Sequence, residues 1–279
     1  MRIAVLGASG VAGRALLPLL AARGHALRAA FHASGGSAFE TQPRVEARHC
    51  EILDAASVAA LVAGCEAVIN LATSIPKPGG RGDWGVNDRV RREGTANLLR
   101  ACAASGARLV QQSVAMLHCA DDRRAQTEDD PLRSDGVLAS ALDLEGAVAR
   151  SSLDWRIARG ALFHGPGTGR EEAWRASLID PGFRIPGDGS AWQSSIHVDD
   201  FASALCAIVE HPGAAQAYIV ADDRPVTLAS LYAHLAAQTG CAPPLSGGPM
   251  RLPSFRVSNA KLRGIGWAPR VASVLQAKH

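Results

Sequence analysis

A doubly wound α/β fold, with a parallel sheet flanked by helices and a smaller C-terminal substrate lobe, is the architecture this sequence predicts. Three observations predict it. Short apolar runs alternate with segments of helical spacing through roughly the first 160 residues, the signature of strands linked by crossover helices. The chain opens on such a run, Ile3 to Leu6, which passes directly into Gly7-Ala8-Ser9-Gly10-Val11-Ala12-Gly13 and then into a helical pattern. Beyond Gly165-Pro166-Gly167-Thr168-Gly169 the strand signals thin out, so the composition changes where a second lobe would begin.

The elements follow in order. Residues 3–6 read as the first strand and 14–23 as a helix stopped by Gly24, where a glycine suits a left-handed cap. Strands at 27–31 and 45–49 lead to Asp54, a side chain suited to cap the helix at 55–63, which Gly64 closes. A fourth strand at 67–71 precedes a Pro/Gly-rich loop, 75–85; a helix at 89–104 ends at Gly106, and 108–111 is the fifth strand. The polar stretch 121–135 reads as exposed, 138–149 as a helix and 155–158 as the sixth strand. Helices are expected again at 199–210 and 228–238. The division this implies is a dinucleotide-binding domain over 1–165 and a lobe over 166–279, with segments near 190–220 returning to the first domain.

Composition excludes several functions. The chain has 279 residues, 47% of them hydrophobic, enough for a sizeable core. A net charge of +3 is too mild to indicate nucleic acid, and the cluster Arg89, Arg91 and Arg92 reads as a solvated helix face. The six cysteines form no C-x-x-C and no metal-ligand spacing with histidine, so no metal is expected and the thiols read as reduced, in a cytoplasmic protein. No apolar stretch reaches the ~20 residues of a membrane span, and the apolar start lacks a cleavage-site pattern.

The glycines after the first strand carry the first chemical signal. A strand that turns on glycines into a helix lets backbone approach a pyrophosphate and points unpaired N–H groups at it, so Gly7, Ser9, Gly10, Val11 and Gly13 are candidate dinucleotide contacts. The plainer alternative is a structural turn. At the end of the second strand, where an NAD binder tends to place Asp or Glu for the ribose hydroxyls, stand Phe31-His32-Ala33-Ser34. Arg14, Arg28 and His32 could meet a 2′-phosphate, which favours NADP within an NAD(P) assignment.

Collinear motifs extend the reading. The chain resembles the extended short-chain dehydrogenase/reductase superfamily, in its NAD-dependent epimerase/dehydratase group. The resemblance rests on Gly7 to Gly13, Glu51-Ile52-Leu53-Asp54, the run from Ala63 to Ala72, Glu93-Gly94-Thr95, Arg159 through Gly167, Gly187-Asp188-Gly189 and Ile196-His197-Val198-Asp199-Asp200. It implies a Rossmann fold, an NAD(P) cofactor and a small-molecule substrate; a homodimer is compatible with it, although the sequence identifies no interface. By the same resemblance Glu51 and Ile52 flank the adenine, Leu71 and Ala72 pass beneath the pyrophosphate and ribose, and the His197 to Asp200 segment is a hydrogen-bonded junction.

The departures bear on chemistry. The only tyrosines are Tyr218 and Tyr232 and the only lysines Lys77, Lys261 and Lys278, so no Tyr-x-x-x-Lys pair exists. Aligned on Glu145, the family's Tyr and Lys places hold Val137 and Ala141, its Asn before Gly94-Thr95 is Arg91, and its nucleotide-gripping Arg is Gln193. Two places where the family carries tyrosine beside the substrate hold His118 and His164, and since histidine is the side chain whose ordinary pKa is near neutrality, both are candidate relocated acids or bases. The plainer alternative for each is a polar wall residue. Ser113 is the candidate helper hydroxyl, Asp135 and Asp143 are weaker candidates, and Cys119 is not expected to act as a nucleophile. Trp84, Trp174 and Trp192 are candidates to line an apolar pocket. Three functions stay open: an NAD(P)-dependent enzyme on a small organic substrate with non-standard acid/base residues; a non-redox isomerase, lyase or cyclase; and a non-catalytic NAD(P) sensor.

Overall fold

The computed structural model of the protein describes residues 1–32, 44–76, 83–119, 124–134, 136–250 and 252–276. Lys77, Lys278, Ala33, Ser34 and Asp135 lie outside the described residues. The elements run β1 (Arg2–Leu6), α1 (Val11–Ala22), β2 (Ala26–Phe31), β3 (Val45–His49), α2 (Ala55–Val62), β4 (Ala67–Asn70), α3 (Trp84–Arg89), a π-helical turn (Val90–Gly94), α4 (Thr95–Ser105), β5 (Arg108–Val114), α5 (Ala139–Ala149), β6 (Trp155–Gly160), β7 (Leu162–His164), α6 (Arg170–Ile179), β8 (Ile185–Pro186), β9 (Trp192–Gln193), β10 (Ser195–His197), α7 (Val198–Glu210), β11 (Gln216–Val220), β12 (Val226–Thr227), α8 (Leu228–Thr239), β13 (Ser246–Gly248) and α9 (Ala260–Gly264). Seven strands form one sheet in the order β11-β6-β5-β4-β1-β2-β3, an α/β arrangement of the Rossmann kind. No described helix is long and apolar enough to cross a membrane.

The chain divides into two compact units. The first comprises Met1–Ser113, Ser134–Arg159 and Ala202–Tyr218; the second Val114–Arg133, Gly160–Phe201 and Ile219–His279. Residues 114–133 therefore cluster with the second unit, although they precede the expected boundary at 165, because chain order does not dictate spatial grouping.

In the first unit, β1 pairs parallel with both β2 and β4, and β4 with β5. Consecutive residues of β1 and β4 are buried on both faces, which is why they read as continuous apolar runs. Helices α2, α4 and α5 pack together, and Val58, Leu61, Val68, Leu98, Cys102 and Leu109 belong to the core cluster of this unit. Asp54 caps α2 as expected, its carboxylate accepting the Ala56 N–H at 2.9 Å, and Gly64 follows at φ +70°. The helix expected at 89–104 instead starts at Trp84, capped by Asp83, and carries a π turn at Val90–Gly94. A widened turn shifts the phase of the helical pattern, so periodicity places the start too late; π turns recur at functional sites.

In the second unit, β7 pairs parallel with β10, β9 antiparallel with β12, and β13 parallel with β8, while α6 and α8 pack together. Helix α6 has no counterpart in the sequence pattern because Glu171 and Trp174 are its only buried residues, leaving little apolar stripe. The short apolar run of β11 lacks the alternation that separates a strand from a buried helical turn. The Asp200 carboxylate accepts the backbone N–H groups of Arg270 and Val271 at 3.0 and 2.9 Å, so this residue is structural glue.

Candidate functional site

The glycine loop is shaped by close approach. Gly7 adopts φ +72°, and a Cβ there would stand 2.7 Å from the Leu71 carbonyl and 2.8 Å from the Ala72 nitrogen. A Cβ on Gly13 would lie 2.5 Å from the carbonyl oxygens of Gly7 and Ala8, and one on Gly10 3.1 Å from Gly7 O. Segment Leu71-Ala72 is itself fixed, because Leu71 N–H donates to Leu6 O and Asn70 Oδ1 accepts Ala72 N–H. Gly10, the α1 N-cap, offers no side-chain oxygen, and the first turn has no acidic residue, so the positive end of a 12-residue helix is left for an external anion. Ser9 and Gly10 are exposed and Val11 half-buried. Backbone that tolerates no added methyl, facing an uncapped helix end, fits the pyrophosphate of a dinucleotide.

The ribose end differs from the expectation in two respects. His32 Nε2 lies 2.8 Å from Glu51 Oε2, so a carboxylate from just beyond β3 stands beside the end of β2, a neighbour that distance in sequence conceals. Arg28 is not available for a 2′-phosphate: its guanidinium donates to Leu61 O and Ala63 O at 2.9 and 2.7 Å and pairs with Glu46, so it caps α2. Arg14 is exposed, donating to Ser9 O at 2.5 Å. Ile52 is buried, its carbonyl accepting from Asn97 at 2.8 Å, and its side chain would stand 2.9 Å from a Cβ on Gly94.

A guanidinium stands at the place of the missing Tyr and Lys. Val137 is 42% exposed and Ala141 is buried. Arg91, on the π turn, is only 6% exposed and donates to Val137 O at 3.3 Å and Ser140 Oγ at 3.2 Å, both neutral acceptors. Burial lowers its pKa against the opposing field of Asp88, and no described carboxylate forms an ion pair with it. Its neighbours Arg89 and Arg92 do lie on a solvated face, paired with Glu93 and Asp143, but Arg91 does not belong with them. Asp143 is thereby accounted for, as an exposed partner of Arg92. Ser113, at the end of β5, is buried, and its hydroxyl has no hydrogen-bond partner among the described residues. Glu145 is engaged by Arg159 through Nε and Nη2 at 2.8 to 3.1 Å in a buried pair.

The two candidate histidines belong to the second unit. His118 ends a 3-10 turn, Ala115–His118, and is buried. His164 ends β7, wholly buried, with Nδ1 3.6 Å from Glu171 Oε1 and its ring edge-on to His197 at 5.3 Å. Gly165 is required beside them, since a Cβ at its φ of +101° would lie 2.5 Å from His197 Nε2. The same unit holds a cavity of ≈ 490 Å³ walled by Trp174, Phe183, Trp192, Tyr232 and Phe255, with Gln193 also in its lining. Trp174 and Trp192 thus line a pocket, whereas Trp84 is a 39% exposed residue of the first unit.

Comparison with known proteins gives this geometry a family. The model of the NAD-dependent epimerase/dehydratase family matches residues 3–221. A 3-diazoavenalumate denitrifying reductase from a Streptomyces species is 32% identical over 260 residues, covering 88% of this chain and 83% of that protein. Among solved structures, the Thermus thermophilus UDP-glucose 4-epimerase in complex with NAD superposes with a TM-score of 0.79 at 22% identity, covering 97% of this chain and 94% of that one. The dTDP-glucose 4,6-dehydratase from Streptomyces venezuelae, also with NAD bound, gives 0.83 at 21% identity, covering 97% and 92%. Those two likenesses show the fold. With the family model spanning the glycine loop through β11, the chain belongs to the NAD-dependent epimerase/dehydratase family.

Proposed function

We propose that this protein is a nicotinamide-dependent reductase of a small organic acceptor, of the diazo class, that works without a Tyr–Lys acid. Arg91 carries the reading. Reduction of a carbonyl by hydride leaves an alkoxide that needs a proton, which a Tyr–Lys pair would deliver; a guanidinium stays charged at neutral pH and cannot do so. What it can do is hold an anionic substituent of the acceptor by charge-assisted hydrogen bonds, from a site with two neutral acceptors and no paired carboxylate. An acceptor that is already cationic at the reducible group takes hydride without any enzymic acid. For an arenediazonium the balance is one hydride gained, the C–N bond broken, dinitrogen lost and an arene C–H formed. The 32% identical reductase, whose name describes a diazo substrate and loss of nitrogen, supports this class.

The residues on hand divide the work. Gly7, Ser9, Gly10, Val11 and Gly13, with Leu71 and Ala72, would hold the dinucleotide, and a reduced nicotinamide supplies a hydride. Glu51 beside His32 suits the ribose hydroxyls of NADH, although the second strand read alone favours NADPH. Ser113 is assigned an orienting hydrogen bond, through its unpartnered hydroxyl. Proton return, for acceptors that need it, is assigned to His118 and His164.

The test is incubation with NADH and 4-carboxybenzenediazonium, following nicotinamide absorbance, benzoate and dinitrogen. We expect the three to change in equal amounts, faster than with heat-inactivated protein. Arg91→Gln lowers kcat/KM about 100-fold, about 2.7 kcal/mol of transition-state stabilisation, with NADH binding retained. His118→Ala and His164→Ala slow carbonyl reduction and leave diazonium reduction intact. Epimerisation of UDP-glucose with no diazonium reduction refutes the proposal.

A further inference from the structure

The cavity of the second unit is built for a ligand of definite chemistry. Five aromatic side chains surround it in a chain whose aromatic content is only 5%, so the concentration is local. Phe183 and Tyr232 meet at 5.0 Å between centroids, and Arg256 lies 4.3 Å over the Trp192 ring, which holds that indole in place. A volume of ≈ 490 Å³ lies in the range of small-molecule sites. Flat apolar walls favour a planar, π-rich ligand.

Two guanidinium groups stand in the wall, Arg170 and Arg184. Arg170, the first residue of α6, has a buried Nε with no hydrogen-bond partner among the described residues, and no described carboxylate forms an ion pair with its guanidinium. Burial holds its pKa below the usual guanidinium value against the opposing field of Glu171. Its neighbour Glu171 is committed elsewhere, accepting the Gly165 N–H at 2.5 Å and the Thr168 hydroxyl at 3.2 Å. The other cation in the lining, Arg184, spends its Nη1 on the carbonyls of Pro181 and Phe183. The lining carboxylate, Asp180, accepts Gly182 N–H at the opposite end of α6 from Arg170. A half-buried cation without an ion-pair partner is costly, and a carboxylate offers the bidentate geometry a guanidinium prefers.

We infer that this cavity is a binding site for a planar aromatic monocarboxylate, with the rings of Trp174, Trp192 and Tyr232 as its walls and the Arg170 guanidinium as its anion anchor. A nucleoside diphosphate suits it poorly. The base and ribose of that ligand are polar, whereas the walls here are largely aromatic and Gln193 in the lining donates to Ser195 Oγ at 3.3 Å. The inference goes beyond the reductase reading, in which Arg91 holds the anionic group of the acceptor, and does not rest on it: the cavity is a ligand site of the second unit in its own right.

Calorimetric titration of the full chain tests the site without turnover. The probes are 4-hydroxycinnamate, its neutral amide 4-hydroxycinnamamide, and UDP. We expect the acid to bind in the micromolar range and the amide at least tenfold more weakly. Arg170→Gln should bring acid and amide within about twofold of each other, and Arg170→Lys should restore part of the difference. Unchanged melting and NADH binding in both variants show that they fold. Equal binding of acid and amide to the unaltered protein, discrimination that survives Arg170→Gln, or tighter binding of UDP than of the acid overturns the inference. Acid binding through Arg170 without diazonium reduction leaves the site standing and removes the reductase reading; diazonium reduction with no acid binding does the reverse.

Discussion

Asp222 makes the stability of this protein depend on pH in a direction opposite to that of most carboxylates. It is 2% exposed, with Oδ2 accepting the Val274 N–H at 3.1 Å and Oδ1 buried with no hydrogen-bond partner among the described residues. Burial, reinforced by the like charges of Asp223 and Asp200, pushes its pKa up to about 8 against the opposing backbone hydrogen bonds. In the unfolded chain an aspartate titrates at about 3.9. Between those two values the folded state holds a proton that the unfolded state has released. Its contribution to stability is therefore complete below the unfolded pKa and is lost as pH rises towards about 8. One proton corresponds to about 1.4 kcal/mol per pH unit, hence about 2.7 kcal/mol between about pH 5 and about pH 7. That slope does not depend on the exact folded value while it stays above the window. Asp222→Asn keeps an acceptor for Val274 and removes the titration. Urea unfolding of both proteins across that range should show the Asp222→Asn variant gaining on the parent by about 1.4 kcal/mol per pH unit. A free-energy difference that stays constant with pH would refute the burial argument.

Gly13→Val places a branched side chain where a single Cβ already meets two carbonyl oxygens at 2.5 Å; the loop must shift, and NADH binding should weaken at least about 100-fold in a fluorescence titration while circular dichroism stays native. Glu51→Gln removes the carboxylate beside His32, and the ratio of NADH to NADPH affinity should fall about tenfold; an unchanged ratio would show that Glu51 does not select the cofactor.

Much of the fold is legible in the sequence because its signals are local. The runs of β1 and β4 are continuous and apolar since parallel strands are buried on both faces, and Asp54 and Gly64 bracket α2 as capping chemistry requires. The glycine loop is legible for the same reason: Gly7 and Gly13 occupy positions that admit no other residue. Helix α6 is not, because its buried residues are too few to set a period, and the π turn is not, because nothing in Val90-Arg91-Arg92-Glu93-Gly94 marks a widened turn.

For the site, the sequence alone determined the dinucleotide-type loop, the absence of any Tyr-x-x-x-Lys pair, and the two histidines worth testing. Only the tertiary structure separated Arg91 from Arg89 and Arg92, set Glu51 beside His32, withdrew Arg28 to the end of α2, and left Arg170 unpaired in an aromatic cavity. The division has a physical cause. Backbone conformation and capping act within a few residues and leave their mark in the local pattern, whereas the state of a charge depends on which distant groups share its low-dielectric surroundings, and three arginines within four positions look alike until burial and partners distinguish them.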